Sequence, residues 1–196
     1  MTLRRSAALA SLAAHRCHDA IEQAAVDATV ALLHGAGDPF ARANLPGHIT
    51  ASAIVLDESA EHVLVVWHDG LQRWLQPGGH CEPGDGAPLD TARRETAEET
   101  GVHLAPERDA GRLVHVDVHD IPARGPEPQH RHHDLRFAFT ASYEAAVPLG
   151  PGARSGWLRA DALPNLGIDD SLRRAVACAV RVAMAAAGQH GASAPR

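Results

Sequence analysis

The order of helical and extended patterns along the chain predicts an α/β (α+β) fold, a mixed sheet with helices on both sides. Residues 5–34 carry apolar side chains at helical spacing, and residues 169–187 do so again near the other end. Between them lie short apolar or alternating runs that are typical of strands, interrupted by one helical segment at residues 88–100. Strand-type and helix-type segments in this order favour a sheet covered by helices.

The individual elements follow from the same patterns. Gly35 and Gly37 mark the end of the N-terminal helix, which we expect to pack on its own domain, with a role in a homodimer as the alternative. Strands are predicted at residues 49–56, 62–67, 73–76, 113–118, 135–142 and 156–158, with a Pro-rich loop at 121–129. These elements predict a helical extension and connector at 1–46, a main domain at 47–187 and a flexible tail at 188–196.

The most informative segment is the helix predicted from Pro88 to Thr100. Glu95, Glu98 and Glu99 stand at i, i+3 and i+4, so their carboxylates lie on one helix face. Like charges at that spacing destabilise a helix by roughly 0.2–0.5 kcal/mol per pair. A shared cation would remove this repulsion, and oxygen ligands of this kind suit Mg²⁺ or Mn²⁺. The face therefore predicts a metal site for phosphate chemistry.

A glycine-rich loop precedes this helix. Gly78 and Gly79 permit close approach of the backbone to a ligand, and a loop carbonyl would complete a metal shell. Pro88 suits the first helical turn, Asp90 favours the positive N-terminus and Gly101 is a natural stop. A flexible loop, a helix with defined ends and an acidic face are thus adjacent in sequence.

These residues resemble the signature of the Nudix hydrolases, G-x5-E-x7-R-E-U-x-E-E-x-G-U, where U is a bulky aliphatic residue. The matching positions are Gly79, Arg94, Glu95, Glu98, Glu99, Gly101 and Val102. There are three departures. The first acid is Asp85 instead of glutamate, eight residues instead of seven separate it from Arg94, and Thr96 stands where an aliphatic residue is usual. The resemblance covers about two dozen residues and is far more specific than a short glycine motif.

The resemblance implies a Nudix-like αβα sandwich and a hydrolase that cleaves a diphosphate linkage in a small molecule, such as a nucleoside di- or triphosphate derivative. It implies Mg²⁺ as cofactor, with Mn²⁺ as a substitute, held by Glu95, Glu98, Glu99 and Gly79. Glu98 or Glu99 is then the candidate general base. It further implies a structural pair between Asp85 and Arg94, and we expect Arg94 to brace the loop and to point away from Glu98.

Other polar residues are weaker candidates for substrate contacts. His80 lies at the expected mouth of the site, and Trp74 would stack on a ring. His132, Asp134 and Arg136 alternate where the chain enters a predicted strand, so they share one face, which would hold an additional metal or a phosphate. A polar strand entry without any ligand is the alternative.

One feature of the family is missing. Many Nudix hydrolases carry a further glutamate after the box, whereas residues 149–157 contain no acid and the nearest are Glu144 and Asp161. Two rival functions therefore stay open. One is a degenerate Nudix domain that senses a nucleotide or sugar nucleotide, and the other is a prenyl-diphosphate isomerase, for which Cys81 would be the reactive thiol.

Composition limits the remaining classes. The net charge is −6, which gives no broad basic footprint for nucleic acid. No segment approaches the roughly 18 apolar residues of a membrane span, and the interrupted N-terminal apolar run lacks a clear cleavage site. We therefore expect a cytoplasmic protein that does not bind membranes. Three widely spaced cysteines predict reduced thiols.

Overall fold

In the computed structural model, the described residues form a seven-stranded mixed sheet at the centre of the fold. The structure describes residues 2–106, 109–146, 152–166 and 168–191. The strands are β1 (Gly47–Asp57), β2 (His62–His68), β3 (Arg73–Leu75), β4 (Gly78–His80), β5 (Arg112–Ile121), β6 (His130–Ala141) and β7 (Ser155–Arg159). Their order is β3-β2-β1-β6-β5, with β4 also paired to β1 and β7 to β2.

Strand β1 organises the sheet because it pairs with three others. It runs parallel to β6 over its whole length, from Gly47 opposite Arg131 to Asp57 opposite Ala141. At its other edge it is antiparallel to β4 near its start and to β2 near its end. All eleven residues of β1 are buried, as expected for a central strand covered on both faces.

Helices cover both faces of the sheet, which confirms the predicted fold class. They are α1 (Leu3–Ala14), α2 (Ala20–His34), α3 (Pro88–Thr100) and α4 (Asp170–Gly191). One core cluster joins residues of α1, α2 and α3 to alternate residues of β1 such as Ile49 and Val55. The other joins Ile54 and Leu56 to α4. None of the helices in the described ranges is long and apolar enough to cross a membrane.

The N-terminal helical pattern is divided in two, which the sequence analysis did not predict. The interruption at residues 15–19 has local causes. Asp19 accepts a hydrogen bond from the Glu22 amide and caps α2. The Glu22 carboxylate in turn accepts from the His18 amide and pairs with His15 at 2.8 Å. Both helices pack on the sheet, in agreement with the expectation for this region.

Three element boundaries also differ from the predictions. Residues 78–80 form the short strand β4 instead of a loop, because β1 offers them an antiparallel partner. Strand β6 begins at His130, five residues before its predicted start. Helix α4 runs to Gly191, which places the first residues of the predicted tail in the helix, and residues 192–196 lie outside the described residues.

Candidate active site

Helix α3 presents its acidic face beside strand β4. Pro88 occupies the first turn, and Gly101 ends the helix with a positive φ of 75°, a conformation that glycine adopts without steric cost. Thr91, Ala92 and Thr96 are fully buried on the opposite side. The Thr96 hydroxyl donates to the Ala92 carbonyl at 2.7 Å, so its polar atom is satisfied within the helix. This explains how threonine replaces an aliphatic residue at this position of the box.

Asp85 and Arg94 lie in direct contact despite the inserted residue between them. Arg94 donates through Nε and Nη2 to the two carboxylate oxygens of Asp85, at 3.2 and 3.0 Å. Asp85 also accepts from the Glu82 amide and the Thr91 hydroxyl, both at 2.8 Å. Burial alone would raise the pKa of Asp85, but these hydrogen bonds outweigh it and lower that pKa.

Arg94 also reaches the acidic face, and the expectation that it points away from Glu98 is wrong. Its Nη1 donates to Glu95 at 2.9 Å and to Glu98 at 3.2 Å. Arg94 and Glu98 are four residues apart, so they lie on the same side of the helix. Arg94 Nη2 also donates to the His80 carbonyl at 2.9 Å, which ties the glycine-rich segment to α3.

Two glycines allow this segment to approach the glutamates. A Cβ on Gly79 would lie 2.6 Å from a Glu95 carboxylate oxygen, so any larger residue would push the Glu95 side chain out of its present position. The Gly78 amide donates to Glu99 at 3.0 Å. A Cβ on Gly78 would lie 2.4 Å from the Ser52 hydroxyl on the other side. The backbone therefore fits between β1 and the carboxylates with no room for a side chain.

Two glutamates of this face, Glu95 and Glu99, resist ionisation. Glu99 is exposed as a residue, but the protein around its carboxylate reduces hydration and raises its pKa to about 6, and the charges of Glu95 and Glu98 add to this effect. Burial also raises the pKa of Glu95, although Arg94 opposes the shift. A cation bound here would favour the charged carboxylates, so the donor chemistry fits a hard divalent ion.

The polar residues of β6 split into two groups. Asp134 is buried and accepts from Thr50, Ser52, Gln76 and Arg136. Arg136 is only 4% exposed and donates to Asp134, Ser171 and Asp117. These contacts occupy the guanidinium within the protein, so a role of Arg136 in binding phosphate stays a prediction. Thr50, Ser52 and Gln76 were not singled out from the sequence. The β1–β6 pairing brings Thr50 and Ser52 to Asp134, and Gln76 reaches it from the segment between β3 and β4.

His132 does not take part in the Asp134 network, and its ring packs against other histidines instead. Its ring centroid lies 5.0 Å from that of His80 and 4.8 Å from that of His48, at the start of β1. Trp74 packs edge-to-face on Trp67 with ring centroids 5.2 Å apart, and it contacts the core below α4. The structure thus gives Trp74 a packing role, and its stacking on a substrate stays a prediction.

Two other residues bear on the alternatives. Cys81 is buried in the core, and burial raises the pKa of its thiol to about 11. That environment opposes the reactive thiolate that an isomerase of the proposed kind needs. Asp161 is exposed and is bound by Arg159 at 2.7 and 3.0 Å, so it forms a surface pair.

Comparison with known proteins identifies the class to which this fold and box belong. A family model described as NUDIX domain matches residues 46–177, more than half of the chain. The protein belongs to this family. The resemblance to the Nudix hydrolases is therefore confirmed. This chain differs from the signature in having eight residues, instead of seven, between Asp85 and Arg94.

Individual relatives are more distant. A probable DHNTP pyrophosphohydrolase from Lactococcus lactis subsp. cremoris is 37% identical over 91 residues, which cover 45% of this chain and 51% of that protein. The mouse asymmetrical bis(5'-nucleosyl)-tetraphosphatase is 44% identical over 49 residues, 25% of this chain and 33% of that protein. The chain thus spans about half or less of the length of these curated relatives.

Solved structures share the fold. The mutator MutT protein from Bacillus halodurans superimposes with a TM-score of 0.50 at 21% identity, covering 67% of this chain and 81% of that one. The NUDIX domain of Shewanella oneidensis NrtR, solved with ADP ribose, gives a TM-score of 0.52 at 18% identity, covering 75% and 94%. Both likenesses concern the fold alone.

Proposed function

We propose that this protein is a divalent-cation-dependent hydrolase that cleaves a diphosphate linkage in a small molecule, a nucleoside di- or triphosphate derivative. The arrangement around Arg94 carries this proposal. Four carboxylates lie within 4.0 Å of this one guanidinium, those of Glu82, Asp85, Glu95 and Glu98. The excess of negative charge on the α3 face is what a divalent cation would balance.

The residues that would hold the ion are Glu95, Glu98, Glu99 and the Gly79 backbone. When bound, Mg²⁺ or Mn²⁺ polarises phosphoryl oxygens and lowers the pKa of a bound water. Glu98 or Glu99 accepts the proton of the attacking water, the Gly78 amide orients the Glu99 carboxylate, and Asp85 with Arg94 holds the loop against α3. Because residues 78 and 79 are glycines, their backbone lies directly against these carboxylates.

The test is release of phosphate and pyrophosphate from a panel of diphosphates with Mg²⁺ or Mn²⁺. The names of the relatives suggest DHNTP and dinucleoside tetraphosphates, to which ADP-ribose, nucleoside triphosphates and sugar nucleotides are added. Glu98→Gln and Glu99→Gln should each lower kcat/KM at least about 100-fold with far-UV circular dichroism unchanged. Glu144→Gln, in an exposed 3₁₀ turn, is the matched control and should keep full activity. Full turnover in both box variants would refute the proposal.

The second candidate function is that of a sensor, which binds a nucleotide or sugar nucleotide without cleaving it. The absence of an acid from the sequence of residues 149–157 favours it. Isothermal titration with the same panel separates the two functions, because a sensor binds one ligand tightly and releases no phosphate.

We further propose that residues 47–187 form the catalytic unit and that residues 1–46 support it, as a monomer or in a homodimer.

A further inference from the structure

Four histidines converge at the end of the sheet where β1 and β6 begin. We call His48, His80, His130 and His132 the histidine cluster. His48 lies beside His132 on the parallel strand β6, and β4 brings His80 to the other edge of β1. The ring centroid of His48 lies 4.8–5.0 Å from the ring centroid of each of the other three histidines. Three separate strands therefore contribute to one group of imidazoles.

The protein leaves several of these nitrogen atoms without a partner. His48 is fully buried, and neither of its ring nitrogens has a hydrogen-bond partner among the described residues. The buried Nε2 of His80 is likewise unpaired in the part of the chain that the structure describes. Leaving a buried polar atom unpaired costs free energy, so such atoms in one small volume indicate a missing ligand.

His130 is oriented as a metal ligand would be. Its Nδ1 lies 2.9 Å from the Pro128 carbonyl, which accepts a hydrogen bond and so fixes the proton on Nδ1. The lone pair of His130 Nε2 then points towards His132 Nε2, 3.3 Å away. A carbonyl that orients one ring nitrogen while the other binds an ion is a common feature of histidine metal sites.

The nitrogens of His130 and His132 already have the spacing of two ligands of a tetrahedrally coordinated ion. Zinc–nitrogen bonds of about 2.0–2.1 Å at tetrahedral angles place two ligand nitrogens about 3.3 Å apart. One nitrogen from each of His48, His130 and His132 lies within 4.8 Å of the others. The His80 ring packs beside this group, with its centroid 5.0 Å from those of His48 and His132. Glu127, 4.0 Å from His130 Nε2, adds a negative charge at the edge. Imidazole ligands of this number favour zinc over magnesium.

We infer that the histidine cluster is a Zn²⁺ site, separate from the glutamate face of α3. The bound ion would tie β1 to β6 through His48, His130 and His132, and the His80 ring of β4 packs against this group. Because the His80 carbonyl accepts from Arg94, the ion would also fix the segment that places Gly78 and Gly79 against the glutamates. The inference does not depend on the hydrolase reaction, since it concerns nitrogen ligands on the sheet.

Zinc binding to tag-free, chelator-treated full chain tests the inference. In excess Mg²⁺, titration calorimetry should show one Zn²⁺ per chain, and Glu98→Gln combined with Glu99→Gln should retain it. His132→Gln, at a half-buried position, should weaken binding at least tenfold. His133→Gln is the matched control, because it lies on the opposite face of the same strand, against Thr29, and should retain binding.

The outcomes separate a zinc site from a hydrogen bond between His132 and His130. No Zn²⁺ binding by the wild type, loss of binding in the glutamate variant, or unchanged affinity in His132→Gln would overturn the inference. If His132→Gln fails to fold, His130→Gln and X-ray absorption of the wild type with Zn²⁺ replace it. Nitrogen ligands at about 2.0–2.1 Å with the scattering of imidazole rings are expected, and a shell of oxygens alone overturns the site.

Discussion

Arg94 and Arg136 are both surrounded by acids, yet their neighbourhoods differ in charge balance. Arg136 is buried with Asp134 and Asp117, and hydroxyl groups of Thr50, Ser52 and Ser171 complete the hydrogen bonds of these two carboxylates. Arg94 is partly exposed and faces four carboxylates within 4.0 Å, with Glu99 one turn further along. One network is satisfied by the protein, whereas the other carries uncompensated negative charge.

The difference distinguishes a structural network from a functional one. Buried charges persist only where partners compensate them, so the Arg136 network must be complete for the fold to form. The face of α3 lies near solvent, where excess negative charge costs little free energy and where a bound cation would balance it. Arginines surrounded by acids thus have a structural role at Arg136 and a functional role at Arg94. Four experiments test this difference.

Arg136→Met should give the largest loss of stability. Removal of the guanidinium leaves the buried Asp134 without a cation and the partly buried Asp117 with only the His119 ring. Breaking a buried pair in this way typically costs about 3–5 kcal/mol. Urea denaturation of the variant measures this change in the free energy of unfolding. Arg159→Met, which removes an exposed arginine paired with Asp161, should leave the free energy of unfolding close to that of the wild type, because solvent screens the pair. A similarly small change for Arg136→Met would mean that its network is not structural.

Glu22 provides a second satisfied carboxylate and should make stability depend on acid pH. Burial would raise the pKa of Glu22, but hydrogen bonds from His15 and the His18 amide hold it at about 2, below its ordinary 4.5. A carboxyl with a lowered pKa stabilises the fold above pH 4.5, and this contribution is lost as the pH falls towards 2. The loss amounts to at most about 3 kcal/mol.

Chemical denaturation of wild type and Glu22→Gln over this pH range measures the effect. The variant should be less stable near neutrality, and the difference should shrink as the pH falls. Glu144→Gln, which removes an exposed acid, is the control and should follow the wild type at every pH. A constant difference between wild type and Glu22→Gln would show that the native carboxyl titrates as it does in the unfolded chain.

Millimolar Mg²⁺ should stabilise the wild type by about 1–3 kcal/mol, because an ion that binds only the folded state shifts the unfolding equilibrium. Thermal unfolding with and without the ion measures this gain. Glu98→Gln should lose most of it, and Asp161→Asn, far along the chain from the box, should retain it. Equal stabilisation of Glu98→Gln and wild type would place the ion outside the α3 face.

The site was more predictable where its parts are close in sequence. The three glutamates, Arg94 and the glycines follow from spacing along one helix and its preceding loop, and the helix bounds at Pro88 and Thr100 are as predicted. His48 could not be added to the histidines of β6, because parallel strands separated by more than 70 residues bring them together. Propensity likewise missed β4, since its glycines favour loops and only β1 stabilises the strand.

The smallest expected effect concerns Glu99 in the absence of divalent cations. Removing a charge near Arg94 should stabilise the protein, whereas removing one near Arg136 should destabilise it. Glu99→Gln removes one like charge from the face and should raise the free energy of unfolding by about 0.2–0.5 kcal/mol at pH 8. Because the pKa of Glu99 is raised to about 6, the wild-type carboxyl is largely neutral at pH 4.5, its ordinary pKa, and the gain should vanish there. Asp134→Asn, in the complete network, should destabilise at both pH values. A loss of stability in Glu99→Gln at pH 8 would mean that the Gly78 hydrogen bond outweighs the repulsion, and the charge on α3 would then need no cation to hold it.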